Sequence, residues 1–217
     1  AVAHLNEWAV QMHSLPPTIQ WTENQETQSM IWHSENASGA PKHTQLADDT
    51  LDADTAYRLA CEGTALLWRG DFQNAKNLLQ AMARRIDKKN SRKSVKTKKT
   101  DAAILTPSQA FHLHRQAQAQ RARTLGMLII PVNADFTISL RRAPDVQTAC
   151  VEAYGKIEHP FAISLRELLG VIGAHEWRKN GVHIAALGGK IHPYYGVFSP
   201  VRGEYLELLA KAPLPKT

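Results

Sequence analysis

Residues 72–86, FQNAKNLLQAMARRI, constrain the fold more than any other stretch of this chain. Phe72, Ala75, Leu78, Leu79, Met82 and Ile86 recur at helical spacing and make one apolar stripe. Such a stripe holds in water only when another element covers it. Asp71 stands where its side-chain oxygen can accept from the first unpaired N–H groups of that helix. The preceding stretch, DADTAYRLACEGTALLWRG (52–70), also carries Ala56, Leu59, Ala60, Leu66 and Leu67 at helical spacing, with Gly70 as a stop. The tight Gly70-Asp71 junction then predicts two antiparallel helices.

The stripe runs into KKNSRKSVKTKK (88–99), where seven of twelve residues are Lys or Arg and none is acidic. Like charges repel, and only Val95 could enter a core, so a flexible basic loop is expected over 88–100. It is either a solvated loop with no partner or a phosphate-contacting one. In the second case Lys88, Lys89, Arg92, Lys93, Lys96, Lys98 and Lys99 would release counterions without reading sequence.

A third helix is predicted from Thr106. Pro107 suits its first position, and Gln109 completes a Thr-x-x-Gln capping box. It runs to Gly126, and Arg115, Arg121 and Arg123 make its surface basic. MLIIPV (127–132) and FTISL (136–140) read as strands joined in a hairpin at Asn133-Ala134-Asp135, and Arg141 and Arg142 follow directly. PDVQTACVEAYG (144–155) reads as a short helix. Ser164 and Glu167 form a capping box for LRELLGVIGAHEWRKNG, with Leu165, Leu168, Leu169, Ile172 and Trp177 facing inward and Gly181 as its end. VHIAAL (182–187) reads as a strand and Gly188-Gly189 as a turn. GEYLELLAKA is a last short helix, with Tyr205, Leu206 and Leu209 on one side.

Charge divides the chain. Residues 1–50 hold one basic residue, Lys42, against six acidic ones, whereas residues 51–217 hold 25 basic and 14 acidic. The first 50 residues are polar yet carry Trp8, Trp21 and Trp32, which predicts partial order; SENASGAPKHTQLADD (34–49) reads as a linker. A basic body predicts a polyanionic partner, nucleic acid being the usual one. No apolar run approaches the roughly 20 residues of a membrane span, and no secretory signal is visible. Cys61 and Cys150 both lie in apolar patterns and read as free thiols rather than a disulfide, which with the missing signal predicts a cytoplasmic protein.

Catalytic and metal motifs are missing from the text of the chain. The two histidines of HLH (112–114) do not share a helix face, and HEWRK (175–179) has Lys179 where a zinc-protease helix needs its second histidine. There is no G-x-S-x-G elbow, and LGGK (187–190) lacks the rest of a phosphate loop. No G-x-G occurs, so no dinucleotide or adenosyl cofactor is cradled here in the usual way. Tyr194, Tyr195 and Phe198 make either an aromatic platform on which a base could stack or a cluster closing the edge of a core.

The end of the chain carries a resemblance. Gly196, Val197, Phe198, Ser199, Pro200, Arg202 and Glu204 resemble the short segment that precedes the first strand of the cofactor domain in class I S-adenosylmethionine-dependent methyltransferases. Release-factor glutamine methyltransferases carry a similar Pro-Arg-x-x-(Thr)-Glu stretch, and ribosomal RNA guanine methyltransferases a similar Gly-Val-Phe-Ser. Residues 56–85, 111–131, 141–146 and 170–215 resemble the N-terminal region of a bacterial methyltransferase group; residues 1–50 and 88–99 do not. In that group a strand and a glycine-rich GTGTG loop, the cofactor site, come next, with an Asn-Pro-Pro-Tyr type substrate motif downstream. Neither occurs before Thr217. The resemblance therefore implies an accessory domain over 51–217, with 200–217 leading into a cofactor domain outside this chain. S-adenosylmethionine would be bound by that domain, with Tyr195, Phe198 and Arg202 at its edge.

The expected fold is α+β: a helical N-terminal half packed on a small, mostly antiparallel sheet. The expected function is recognition of RNA or a ribosome-associated component for methylation. Lys88–Lys99, Arg115, Arg121, Arg123, Arg141 and Arg142 would contact phosphates, and Tyr194 and Tyr195 the substrate. The alternatives are a nucleic-acid-binding module without chemistry, and a domain that binds a protein to be methylated.

Overall fold

The computed structural model describes residues 16–99, 106–198 and 204–213. Its frame is a six-stranded sheet. β1 (Thr18–Glu23) and β2 (Glu26–His33) form a hairpin around Asn24 and Gln25, both at positive φ, as the tightest two-residue hairpin turn requires. The other strands are β3 (His43–Ala47), β4 (Thr64–Trp68), β5 (Leu128–Val132) and β6 (Phe161–Ser164). Across the sheet they stand in the order β1-β2-β6-β5-β4-β3.

The chain is α+β as expected, with a mixed sheet. β1–β2 and β5–β6 are antiparallel, while β2–β6, β3–β4 and β4–β5 are parallel. Parallel pairing follows from the crossovers: α1 (Ala53–Cys61) links β3 to β4, and two long helices link β4 to β5. The stretch 34–49, expected as a linker, supplies β3, so residues 18–47 build three strands of the same sheet as the body.

The sheet curls until its edges, β1 and β3, lie beside each other without pairing. Arg69, just past β4, crosses this seam: Nη2 donates to Glu23 Oε2 at 2.8 Å, and the guanidinium sits 5.7 Å from the centre of the Trp21 ring. Inside the curl lie Ile19, Trp21, Trp32, Ala65, Leu67, Ile129 and Ala162, all buried. The opposite faces of β4, β5 and β6 present Leu66, Trp68, Leu128, Ile130, Val132, Phe161 and Ile163 to the helices.

Burial on both faces corrects the expectation of one helix over 52–70. Asp52 caps α1, accepting from the N–H groups of Asp54 and Thr55, and Gly63 at φ +88 ends the turn after it. TALLW then becomes β4, a central strand. Two fully buried leucines are worth about 1.5–3 kcal/mol each, against a few tenths of local preference for helix. The Gly70-Asp71 junction therefore joins strand to helix.

The long helix α2 (Phe72–Lys99) contains the expected stripe, with Phe72, Ala75, Leu78, Leu79, Met82 and Ile86 all buried. It also absorbs the run 88–99 that was expected as a loop. No Gly or Pro occurs between Asp71 and Thr106, and Lys and Arg are good helix formers. Like-charge neighbours three or four residues apart cost only about 0.2–0.5 kcal/mol per pair, too little to unwind it.

α3 (Pro107–Gly126) starts with the predicted capping box at Thr106 and Gln109. α4 spans Gln147–Tyr154, and α5 Leu165–Asn180 ends at Gly181. Residues 136–140 form no strand. Phe136 sits at φ +62 in a turn and buries its ring against Phe161, while β6 takes the place beside β5. Ser164 makes no cap hydrogen bond. Glu167 instead accepts from the Glu35 N–H at 2.9 Å, tying the exit of β2 to the first turn of α5. Trp177, expected inside, is 51% exposed. The strand expected over 182–187 is short: β7 (Val182–Ile184) turns through one 3-10 turn and Gly188 to pair with β8 (Gly189–Ile191). α6 (Glu204–Lys211) closes the described chain, and no described helix is long and apolar enough to cross a membrane.

Candidate functional site

α2 and α3 pass side by side, and the first half of α3 stands clear of the body. Every residue from Pro107 to Gln116 is exposed, and α3 enters the core only at Thr124 and Leu125. Arg121 fastens the pair: its Nε and Nη2 donate to Asp87 Oδ1 and Oδ2 at 3.0 and 3.3 Å. That fork holds the Asp87 carboxyl below the ordinary carboxylate range. Beyond it α3 has no acidic residue, and α2 none after Asp87. The result is a two-helix arm whose formal charge is almost wholly positive.

Ten of the expected phosphate-contacting residues lie on these two helices, and the side chains of five are described. Lys88 is exposed, and Lys89 sits 5.7 Å over the Tyr57 ring. Arg115 lies 6.0 Å from the exposed Phe111 ring, and Arg123 donates to Gln120 at 2.8 Å. Arg121 is committed to Asp87. Arg92, Lys93, Lys96, Lys98 and Lys99 belong to α2, and their side chains lie outside the described residues.

Arg141 and Arg142 are not on the arm. They sit at the opposite end of α2, where both donate Nε to Asp71 Oδ2, at 3.0 and 2.7 Å. Asp71 also caps α2, accepting at Oδ1 from the Gln73 N–H at 2.8 Å and the Asn74 N–H at 3.4 Å. The Arg142 bond, foremost among these contacts, holds the Asp71 carboxyl far below the usual carboxylate range. The single basic face expected from the sequence is thus divided between the two ends of one helix, with the Arg141–Arg142 end paired to Asp49 and Asp71. Asp71 was legible as a helix cap; its hold on two arginines 70 residues away was not.

The expected aromatic platform is dispersed. Tyr194 lies under Arg178, whose guanidinium is 3.7 Å from the ring centre and donates to the Tyr194 hydroxyl at 2.6 Å. Arg178 also bonds Glu152, which accepts His175 Nδ1 at 2.9 Å; His175 first and Arg178 second keep the Glu152 carboxyl low. This latch pins the 192–195 segment to α4 and α5. Tyr195 turns inward, its ring 6.1 Å from Tyr154 and half-buried against the core, and burial raises its hydroxyl. Phe198 stays 76% exposed, 6.0 Å from the Tyr205 ring, with Leu208 and Leu209 exposed on α6 nearby in sequence. Arg202 lies outside the described residues.

Other polar groups are committed elsewhere. An open groove at the seam is lined in part by Glu23, Asp48, Asp52 and Arg69. Glu23 pairs with Arg69, Asp48 accepts from Thr50, and Asp52 caps α1. Cys150 is buried, and burial pushes its thiol up to about 11, which makes it inert at neutral pH. Among the described residues no group of His, Cys, Asp and Glu could hold a metal ion. Comparison with protein-family models, with curated proteins and with solved structures finds no match for this chain.

Proposed function

We propose that this chain is the substrate-recognition domain of an S-adenosylmethionine-dependent methyltransferase, and that it binds RNA, alone or in a ribosomal particle. The observation that carries nucleic-acid binding is the arm. α3 has no carboxylate, α2 has none after Asp87, and Lys88, Arg115 and Arg123 stand exposed along it. An acid-poor pair of neighbouring helices suits contact with phosphates, which supplies affinity without sequence readout. The methyltransferase part of the reading rests on the resemblance of residues 56–85, 111–131, 141–146 and 170–215. The exposed Phe198, Leu208 and Leu209 favour a protein surface against the C-terminal segment, and a cofactor domain would be such a surface.

Filter binding with single-stranded RNA across a salt series tests the nucleic-acid reading. Affinity should fall steeply and linearly on a log–log plot; weak, salt-insensitive binding would defeat it. Calorimetry with S-adenosylmethionine should register no binding to residues 1–217, because the reading puts the cofactor elsewhere. A tight isotherm would mean that this chain holds its own cofactor site.

A further inference from the structure

The junction of β4 with α2 is built around one carboxylate with no accessible surface. The two arginines bonded to it are exposed: 73% for the Arg141 side chain and 60% for Arg142. Both spend Nε on Asp71, which leaves the terminal nitrogens of two largely exposed guanidinium groups as further donors. Among the described residues the Nη atoms of Arg142 have no hydrogen-bond partner, and Arg141 uses one, on Asp49 at 3.4 Å. Arg142 is also held at φ +55, a backbone region that residues with long side chains seldom adopt.

Asp49 and Asp71 balance the two arginines, so this corner is no diffuse cationic patch. What it offers is geometry: two neighbouring guanidinium groups, each held at Nε on one carboxylate and each largely exposed. A phosphate oxyanion matches such forks better than a lone ammonium can. The corner also has a path to the arm. Along α2, Gln73, Asn77, Gln80, Arg84 and Lys88 follow at intervals of three and four, none carrying a carboxylate, and all but the half-buried Gln73 are exposed. At 1.5 Å per residue this track covers roughly 22 Å. Asp87, beside its far end, is already held by Arg121.

We propose that Arg141 and Arg142, positioned by Asp71, form a clamp for one backbone phosphate of a single-stranded RNA that runs along α2 from the arm. The proposal rests on the nucleic-acid reading above and adds to it a defined phosphate site.

Fluorescence anisotropy on the full chain, with a short labelled single-stranded RNA, tests it. Arg142→Lys keeps the charge and loses the fork. It should weaken binding about fivefold or more with the salt slope unchanged. Lys88→Gln on the arm should instead lower the slope by about one. Asp71→Asn, which keeps a capping oxygen but frees both arginines, should reproduce the Arg142→Lys loss. If Arg142→Lys fails to fold by circular dichroism, Arg141→Lys carries the same test. If RNA binds and the lysine variant matches the wild type, the clamp is overturned and the nucleic-acid reading stands. If RNA does not bind at all, inorganic pyrophosphate decides. A rise in melting temperature present in the wild type and lost in Arg142→Lys upholds the phosphate site alone; no rise overturns it as well.

Discussion

Gly70 and Asp71 show how much one dipeptide can carry. A Cβ on Gly70 would lie 2.5 Å from Asp49 Oδ1 and 2.8 Å from the Asp49 backbone nitrogen. Gly70→Ala must therefore push β3 from β4 or break the bonds that Asp49 makes to the Asp71 N–H and Asn74. A loss of about 1–3 kcal/mol is expected in chemical denaturation. Asp71 works through charge. Its carboxyl is depressed in the folded protein, so the stability it adds is fully present above the ordinary aspartate value of 3.8 and is lost as pH falls below it. The gap in melting temperature between wild type and Asp71→Asn should be constant near neutrality and shrink below about pH 4. A gap that grows in acid would show that the arginines do not hold the ionised form.

At the scale of elements, the arm is where composition and geometry meet. Thr106, Pro107 and Gln109 announce the start of α3, and the unbroken text from Asp71 to Lys99 permits one long helix. The fork between Arg121 and Asp87 joins the two. Asp87→Ala should loosen the start of α3 and raise amide exchange over residues 107–116, with little change in β4 or β5. Equal protection in wild type and variant would mean that packing at Thr124 and Leu125 alone holds the arm. Two elements were misread for one reason. TALLW and FTISL are short apolar runs, and such runs do not declare helix, strand or turn by periodicity. The first was claimed by two buried sheet faces, the second by a turn that drives Phe136 into the core.

For the whole molecule, the curled sheet decides most of the architecture. Its inner core is small, so each large side chain in it matters. Ile129→Ala should cost about 2–5 kcal/mol and lower the denaturation midpoint, because the ring of strands around it cannot collapse on the space. A cost below 1 kcal/mol would mean that the seam between β1 and β3 closes further to fill the cavity. The same curl explains the tryptophans near the N-terminus: Trp21 and Trp32 are buried inside it, and residues 18–47 are integral to the fold rather than a polar appendage.

By itself, the sequence determined the local devices. The stripe of α2, the caps at Asp71 and Thr106, the ends of α3 and α5 at Gly126 and Gly181, and the acid-free run 88–99 all follow from spacing and backbone chemistry within a few residues. Only the tertiary structure decided what lies across from what. It set three strands from residues 18–47 into the main sheet, made TALLW a central strand, separated Arg141 and Arg142 from the arm, and turned Tyr195 inward. The physical reason is range. Caps and helical stripes are settled by neighbours three or four residues apart, whereas strand pairing and the partners of Asp71 depend on residues 22 and 70 positions away, whose distance along the chain leaves no periodic trace.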